Sequence, residues 1–242
     1  MSLPTPSDAT GATFHAPGPR VEWFSGQICQ SIPDTQAPLR VLDIGCGTGD
    51  QIFDLAARLP RAWLVGVDIS SANVAIAEQR RRSHHSSERL AFETADYVAY
   101  RATEPFDLIV SYSVLQFMAA DTHTVASRIA EDLRHGGFFV NAMPYSCAYN
   151  QALGLVRRAL RASRSTLTDR LLMRAARALH GASLDEVLLA ERIGYAYAVP
   201  DRFDDELAAS LEAAGLTTIE RKPVAHASPA QMKHSLRIMQ RP

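Results

Sequence analysis

The sequence predicts an α/β domain in which helices cover both faces of a mostly parallel β-sheet. Short apolar runs rich in β-branched residues alternate with helical stretches, which is the pattern of strand–helix–strand units. The first run ends in a glycine-rich turn, and the alternation is interrupted only over 145–200 before two closing strands. We therefore expect one doubly wound, Rossmann-like domain over 1–242, with an N-terminal arm or helix over 1–38 and a helical insertion after strand five.

Seven apolar runs are predicted to form the strands of this sheet. They are Leu39–Ile44, Trp63–Val67, Leu90–Thr94, Phe106–Ser111, Phe138–Ala142, Leu216–Val224 and Met232–Met239. A helix beginning near Asp50 spaces its apolar residues at i, i+3, i+4 and i+7, as a buried face requires (Ile52, Leu55, Ala56 and Leu59). Two further helices are predicted over Asp121–Arg134, which runs into two glycines, and over Asp201–Ala214, which ends at Gly215.

The insertion over 145–200 is predicted to be helical and basic. Helices are expected over Gln151–Ala162 and Asp169–His180, and a capping box of Ser183 and Glu186 opens a third. Between 157 and 177 the chain carries seven arginines and one acid. These arginines fit either a solvated helix face or a surface for RNA, phosphate or anionic lipid. No aromatic residues are interleaved with them, which favours the solvated face.

Composition excludes several classes of protein. With 47% hydrophobic and 21% charged residues, the chain can bury a core and is not disordered by composition. A formal net charge of −1 argues against a general nucleic-acid binder, and no apolar run is long enough to span a bilayer. The cysteines Cys29, Cys46 and Cys147 are far apart and form no CxxC pair. We expect reduced thiols in a cytoplasm, no metal site and no membrane partner.

The most informative residues are the nine from Val41 to Gly49, Val-Leu-Asp-Ile-Gly-Cys-Gly-Thr-Gly. A buried strand ends in a glycine turn that feeds a helix, at the sheet edge where open α/β sheets bind ligands. A dinucleotide fingerprint would need GxGxxG, whereas the spacing here is GxGxG followed by Asp50. This spacing argues against NAD.

Two further acids end the next strands along the chain. Asp68 follows the second strand about twenty residues after the glycines, where a carboxylate can accept both hydroxyls of a ribose. Ser70 is the expected N-cap of the helix that follows. Asp96 closes the third strand and could accept an adenine amino group, while Tyr97 or its backbone meets the ring. Each acid alone could be an ordinary turn residue, but successive strand ends favour a nucleoside site.

These motifs together resemble the class I S-adenosylmethionine (SAM)-dependent methyltransferases over roughly 39–142 and the terminal helix and strands. The glycine turn resembles the family's first motif, Gly66–Ser70 its second, Ala95–Tyr97 its third, Phe106–Phe117 its fourth, and Leu133–Phe138 its step into strand five. The resemblance implies a seven-stranded sheet with an antiparallel last strand, and SAM or S-adenosylhomocysteine (SAH) as the ligand. The implied cofactor residues are Asp43, Gly45, Cys46, Gly47, Gly49, Asp68, Ile69, Asp96, Tyr97 and Ser111.

The expected reaction is methyl transfer to a small-molecule acceptor, with oxygen favoured as the accepting atom. N- or carboxyl-methylation and an RNA-modifying enzyme that uses the arginine-rich insertion remain alternatives. Candidate catalytic residues are Gln116, Tyr145 and the loop histidine His226, whose general-base role competes with that of an exposed loop residue. Many relatives carry His where this chain has Gln116. We expect the insertion to be a lid over the acceptor, with a homodimer contact as the alternative.

Overall fold

A computed structural model describes residues 16–180, 197–225 and 231–242. The seven strands are β1 Arg40–Ile44, β2 Trp63–Asp68, β3 Leu90–Thr94, β4 Phe106–Tyr112, β5 Leu133–Pro144, β6 Thr217–Pro223 and β7 His234–Gln240. The helices are α1 Gly18–Ser31, α2 Asp50–Arg58, α3 Ser71–Arg82, α4 Thr122–Asp132, α5 Ala148–Ala162, α6 Thr166–His180 and α7 Asp204–Ala213. The predicted helix from Ser183 and the loop with His226 lie outside the described residues.

The strands form one sheet in the order β3-β2-β1-β4-β5-β7-β6. Strands β1 to β5 are parallel, and β7 runs antiparallel to both of its neighbours. The predicted fold class is thereby confirmed. The strand order reverses between β1 and β4, which opens a crevice at their carboxyl ends, where doubly wound folds place ligands.

Two apolar layers hold helices on the faces of this sheet. One contains Phe24 and Ile28 of α1 together with the predicted apolar stripe of α2, and the other packs α4 and α7 against the opposite face. All four stripe residues are buried, as their spacing predicts: Ile52, Leu55 and Ala56 of α2, and Leu59 directly after it. Side chains of successive strand residues alternate between the two layers, so each residue at a strand end is assigned to one face.

The end of α4 differs from the prediction. The helix stops at Asp132, because Leu133 is already extended, and β5 begins there rather than at Phe138. The chain terminus determines this boundary: the Arg241 guanidinium donates to the carbonyls of Ala130 and Leu133, and the Arg241 carbonyl accepts from Gly136. These contacts come from more than a hundred residues away, so the local pattern could not predict them.

A buried ionic cluster attaches α7 to the antiparallel end of the sheet. Asp204 is almost fully buried and accepts from Arg237 Nη2 and from Ser235 Oγ, each at 2.8 Å. Arg221 contributes a second, more exposed cation to Asp205. Because both members of the Asp204–Arg237 pair are removed from water, each depends on the other for its hydrogen bonds. This cluster fixes α7 relative to β7.

Candidate active site

The glycine turn brings backbone to the edge of the sheet in a conformation that side chains would block. Gly45 has φ of 76° and Gly49, the N-cap of α2, has φ of 86°, both in the left-handed region. A Cβ on Gly45 would overlap the Val114 side chain, and one on Gly49 would meet Phe53 and Phe92. Gly45 and Gly49 are therefore required by side-chain packing as well as by backbone conformation.

Asp68 connects the tips of β1 and β2. Its Oδ2 accepts from the Gly47 backbone N–H at 2.9 Å, and its Oδ1 accepts from Ser70 N at 2.8 Å and from the Asn73 side chain. Ser70 caps α3 through the backbone N–H of Asn73, which confirms the predicted cap. The carboxylate is half-buried, so these bonds orient it while leaving part of it open to solvent.

Asp43, the fourth of the five residues of β1, carries a buried carboxylate. Its Oδ2 has no hydrogen-bond partner among the described residues. Burial raises the pKa of Asp43 to about 7; the nearby Asp68 carboxylate adds to the increase, and Arg20 opposes it. An unpaired buried acceptor costs ~1–3 kcal/mol. The free energy would be recovered by a ligand that brings a cation or a hydrogen-bond donor to this oxygen.

Arg20 of α1 is a site residue that the sequence analysis missed. Its guanidinium lies 4.5 Å from the centre of the Tyr112 ring at the end of β4, and Phe24 packs edge-on against the same ring at 5.2 Å. No motif surrounds Arg20 in the sequence. Only the docking of α1 on the sheet brings this cation to the crevice beside Asp43.

The remaining predicted cofactor residues divide into exposed and buried ones. Asp96 is exposed at the tip of β3, and Ile69 beside Asp68 is 51% exposed, an apolar surface that a flat ring could cover. The Cys46 side chain is buried against Gly66, so only its backbone contributes to the turn. Asp68, Ile69 and the glycine turn lie along one edge; their cofactor roles remain predictions.

Two predicted cofactor residues, Tyr97 and Ser111, have side chains that bond inside the protein, and their cofactor roles remain predictions for the backbone. The Tyr97 ring is buried in the core and its hydroxyl donates to Asp132 at 3.0 Å, so only its backbone is left for a nucleoside. The Ser111 hydroxyl is fully buried and donates to the Ile44 carbonyl at 3.1 Å, between β1 and β4. Both side chains satisfy their polar atoms inside the protein, because each points into the sheet or its core layer rather than beyond the strand tip.

A second polar group lies across the crevice, at the carboxyl end of β4 and the amino end of β7. Ser113 Oγ lies 3.1 Å from His234 Nε2, and the Gln116 side chain donates to Ser113 Oγ at 2.9 Å. Ser113 has φ of 58°, a left-handed conformation that costs ~1–3 kcal/mol for a side-chain-bearing residue. Gln116 is 1% exposed, and its Oε1 accepts no hydrogen bond among the described residues.

Contacts with Met232 and Tyr112 orient the His234 imidazole, and Asn150 holds the backbone before it. Nδ1 lies 2.8 Å from the Met232 carbonyl, and the ring stacks on Tyr112 with centroids 6.0 Å apart. The buried Asn150 of α5 accepts from Lys233 N and donates to Lys233 O, at 2.8 and 2.7 Å, which holds the residue before His234 in place. Since a carbonyl only accepts, Nδ1 carries a proton, and Nε2 of the neutral ring is an acceptor.

His234 was not predicted as a site residue, although a signal was present in the sequence. It stands near the start of the predicted last strand, and an antiparallel strand begins at the edge where its parallel neighbour ends. In the structure His234 pairs with Pro144 at the end of β5. A histidine at that register of an antiparallel strand was therefore a better candidate than one in the preceding loop.

The structure describes two of the three predicted catalytic residues, Gln116 and Tyr145. Gln116 is at the site, whereas His226 lies outside the described residues. Tyr145 lies on the α7 face, with the Arg221 guanidinium 5.4 Å from its ring centre, while Tyr112 and His234 face α1. The alternation of side chains along β5 causes this separation. Across the described ranges, no group of three His, Cys, Asp or Glu residues is arranged to hold a metal ion, and no helix is long and apolar enough to cross a membrane.

Comparison with known proteins matches the middle part of this chain to one kind of domain. Residues 41–137 match the model of a family described as a methyltransferase domain. A trans-aconitate 2-methyltransferase of Methylobacterium nodulans is 37% identical over 108 residues, which are 45% of this chain and 39% of that protein. The chain thus matches well under half of the length of this curated relative.

Two solved structures share the fold. The [4+2]-cyclase SpnF superposes with a TM-score of 0.63 at 16% identity, over 91% of this chain and 81% of the cyclase. The magnesium protoporphyrin IX methyltransferase of Synechocystis PCC 6803, solved with bound SAH, gives 0.61 at 14% identity, over 93% and 83% of the two chains. Since one of these proteins is named a cyclase, the fold alone does not specify the reaction.

Proposed function

We propose that this chain is a class I SAM-dependent methyltransferase that transfers a methyl group from SAM to a small-molecule acceptor, at oxygen; the match of residues 41–137 to a methyltransferase domain supports this. The observation that supports the proposal most directly is the buried Asp43 Oδ2 beside the glycine turn, which has no hydrogen-bond partner among the described residues. The rest of the crevice is consistent with the same ligand.

The residues of the crevice fit the chemical groups of SAM. An unpaired buried carboxylate suits a cationic or donating group, and SAM carries both a sulfonium and an ammonium. Asp68 offers acceptor oxygens for ribose hydroxyls, Ile69 an exposed apolar surface for a purine, and Asp96 an acceptor for an exocyclic amine. Arg20 adds a cation that suits a carboxylate.

When bound, SAM supplies an activated methyl group on a positively charged sulfur. The protein's task is then to hold the acceptor atom in line with that carbon. Such alignment is worth ~7–11 kcal/mol of a reaction barrier. The rigid strand ends of β1 and β4 give the two sides of the crevice a fixed separation, as this task requires.

The acceptor is proposed to be a small molecule, as in the relative from Methylobacterium nodulans, which is named for trans-aconitate. RNA is less favoured by the insertion. Arg157 donates to the Ala198 carbonyl, and Arg164 lies over the Tyr197 ring, 3.6 Å from Asp169, so part of the basic surface is used within the insertion itself. N-methylation is the remaining alternative.

We also propose that the insertion over 145–200 forms a lid on the acceptor side. It leaves the sheet at the end of β5, and its returning segment bonds to the site, since Asp201 N donates to the Gln116 carbonyl at 2.8 Å. Arg202 then donates to the carbonyls of Leu115 and Met118. Exposed apolar residues on α5 and α6, Leu155, Val156, Leu167 and Leu171, keep a dimer contact as the alternative.

Calorimetric titration with SAH tests the cofactor site. We expect micromolar binding by the wild type and a loss of at least about tenfold in Asp68→Ala, because a charge-assisted hydrogen bond to a ribose is worth ~1.5–3 kcal/mol. Asp201→Ala, which changes an exposed acid directly after the insertion, is the matched control and keeps wild-type affinity. Unchanged binding in Asp68→Ala would refute the site assignment, and binding of NAD in place of SAH would refute the function.

A further inference from the structure

The hydrogen-bond pattern around Ser113 indicates which protonation state the acceptor has when it binds. The Ser113 hydroxyl has one proton and two lone pairs. One lone pair accepts from Gln116, and the proton points to His234 Nε2, because the opposite ring nitrogen is already committed as a donor to the Met232 carbonyl. The second lone pair of Ser113 Oγ remains to accept a hydrogen bond from a ligand.

Gln116 Oε1 adds a second acceptor of the same kind. It is buried, it belongs to the same side chain that donates to Ser113, and no described residue donates to it. A ligand group with a proton can satisfy these oxygens. A carboxylate brings only acceptors and would face the lone pairs of Ser113 and Gln116 without a donor between them.

We propose that Ser113 and His234 form a proton relay for the methyl acceptor, with Gln116 as a second contact, so that the site takes an acceptor whose nucleophilic atom carries a proton, above all a hydroxyl. The inference rests on the proposed function and narrows its substrate class from any small molecule to alcohols and phenols. Hydroxy acids are included, since their methylated atom is the hydroxyl oxygen.

The relay gives the acceptor's proton a destination during methyl transfer. The acceptor oxygen forms its bond to the methyl carbon while the carbon–sulfur bond breaks, with the bonding pair left on sulfur. The acceptor's proton passes to Ser113 Oγ, and the proton of the serine passes to His234 Nε2. The product is a methyl ether, and the imidazolium then releases its proton to water.

The neighbours of the imidazole hold it in the orientation that the relay uses. Tyr112 of β4 stacks on the ring, and Asn150 of α5 holds the preceding residue through the backbone of Lys233. The left-handed backbone of Ser113 directs its hydroxyl to the ring rather than along the strand.

The first test needs no acceptor and no activity. Long-range 1H–15N spectra of the labelled protein distinguish the two neutral tautomers of His234, with His234→Gln identifying its signals. We expect Nδ1–H and an unprotonated Nε2 at pH 8, with and without SAH, and a changed Nε2 shift in Ser113→Ala. A neutral ring that carries its proton on Nε2 cannot accept from Ser113, and that result would overturn the relay.

The second test uses two sets of probes, phenols and aliphatic alcohols in one, and carboxylic acids without hydroxyls, trans-aconitate included, in the other. We expect labelled methyl incorporation into hydroxyl probes, with kcat in His234→Gln lower by ~10²–10⁴-fold. SAH affinity should change by less than twofold. His123→Gln, an exposed histidine on α4, keeps wild-type turnover.

Two outcomes separate the relay from the proposed function. Methylation confined to carboxylic acids, at a rate that His234→Gln leaves unchanged, would overturn the relay while the methyltransferase assignment stands. Failure of the wild type to bind SAH would remove the assignment itself, and the relay would then have no reaction to serve; calorimetry shows this before any acceptor is added.

Discussion

The two sides of the crevice are built in different ways. On the cofactor side, the glycine turn and Asp68 are joined by hydrogen bonds between residues at most 21 positions apart. On the acceptor side, Ser113 and His234 meet across 121 positions, and Asn150 reaches Lys233 across 83. The cofactor side is a local structure that the sequence displays as a motif, whereas the acceptor side exists only after the last strand has entered the sheet.

The electrostatic character of the two sides differs as well. On the cofactor side, Asp43 Oδ2 is buried with no hydrogen-bond partner in the part of the chain that the structure describes, and burial raises the pKa of Asp43 to about 7. On the acceptor side the uncharged Ser113 and Gln116 side chains are joined by a hydrogen bond, with the ionic Asp204–Arg237 cluster on the opposite face. A cationic group therefore suits the first side, and a proton-bearing group is what we propose for the second.

The largest expected effect comes from removing the lid alone. Replacing residues 150–195 with a short Gly/Ser linker should reduce turnover to background, a loss beyond about 10⁴-fold, because the acceptor is no longer aligned. SAH affinity should stay within about threefold, since no cofactor-side residue is removed. Turnover with labelled SAM and calorimetry measure the two quantities.

That experiment also decides the alternative role of the insertion. If the deletion variant keeps full turnover and changes only its mass by light scattering, the insertion is a dimer contact and the lid assignment is wrong. A circular-dichroism spectrum and a thermal transition like those of the wild type establish first that the variant folds.

The next effect concerns the pH dependence that Asp43 gives to the cofactor side. Its pKa is about 7 in the folded protein against an ordinary value of 3.8, so folding favours the protonated form. The stability that this provides is fully present below pH 3.8 and is lost as the pH rises through about 7. Each pKa unit is worth ~1.36 kcal/mol. Between pH 4 and pH 8 the wild type should therefore lose about 4 kcal/mol of unfolding free energy that Asp43→Asn keeps.

Urea unfolding at several pH values measures the difference between the two proteins. Asp96→Asn, an exposed acid at the same edge, is the control and should show no such trend. At pH 8 we also expect Asp43→Asn to bind SAH more weakly, because its amide offers no charge to a cationic group. A stability difference independent of pH would contradict the assignment of a buried, partly protonated Asp43.

The smallest effect separates packing from backbone strain in the glycine turn. Gly45 and Gly136 have nearly equal φ, 76° and 78°, but a Cβ would overlap Val114 at Gly45 and meet no atom within 4 Å at Gly136. Each alanine variant should lose ~1–2 kcal/mol from the left-handed backbone, and Gly45→Ala a further ~1–3 kcal/mol from overpacking.

Urea unfolding of the two single variants gives that difference directly. Val114→Ala in the Gly45→Ala background should restore part of the stability, since it removes the overlapping methyl groups. Equal losses in Gly45→Ala and Gly136→Ala would mean that the turn uses glycine for its backbone alone.

By itself the sequence determined the α/β class, the seven strands, the cap at Ser70 and the placement of Asp43 and Asp68 at strand ends. These features depend on local pattern: alternation, helical spacing and glycine turns act over a few residues, so they can be recognised in the sequence. The end of α4 is an exception, because Arg241 from the chain terminus fixes it.

Only the tertiary structure decided which polar side chains are available for chemistry. It placed Tyr97 and Ser111 inside the protein, put Tyr145 on the face opposite Tyr112, and brought Arg20 and His234 to the crevice. The physical reason is that a side chain's role depends on which face and which edge of the sheet it occupies. That position is fixed by strand order and register, which are set by contacts between residues far apart in the chain.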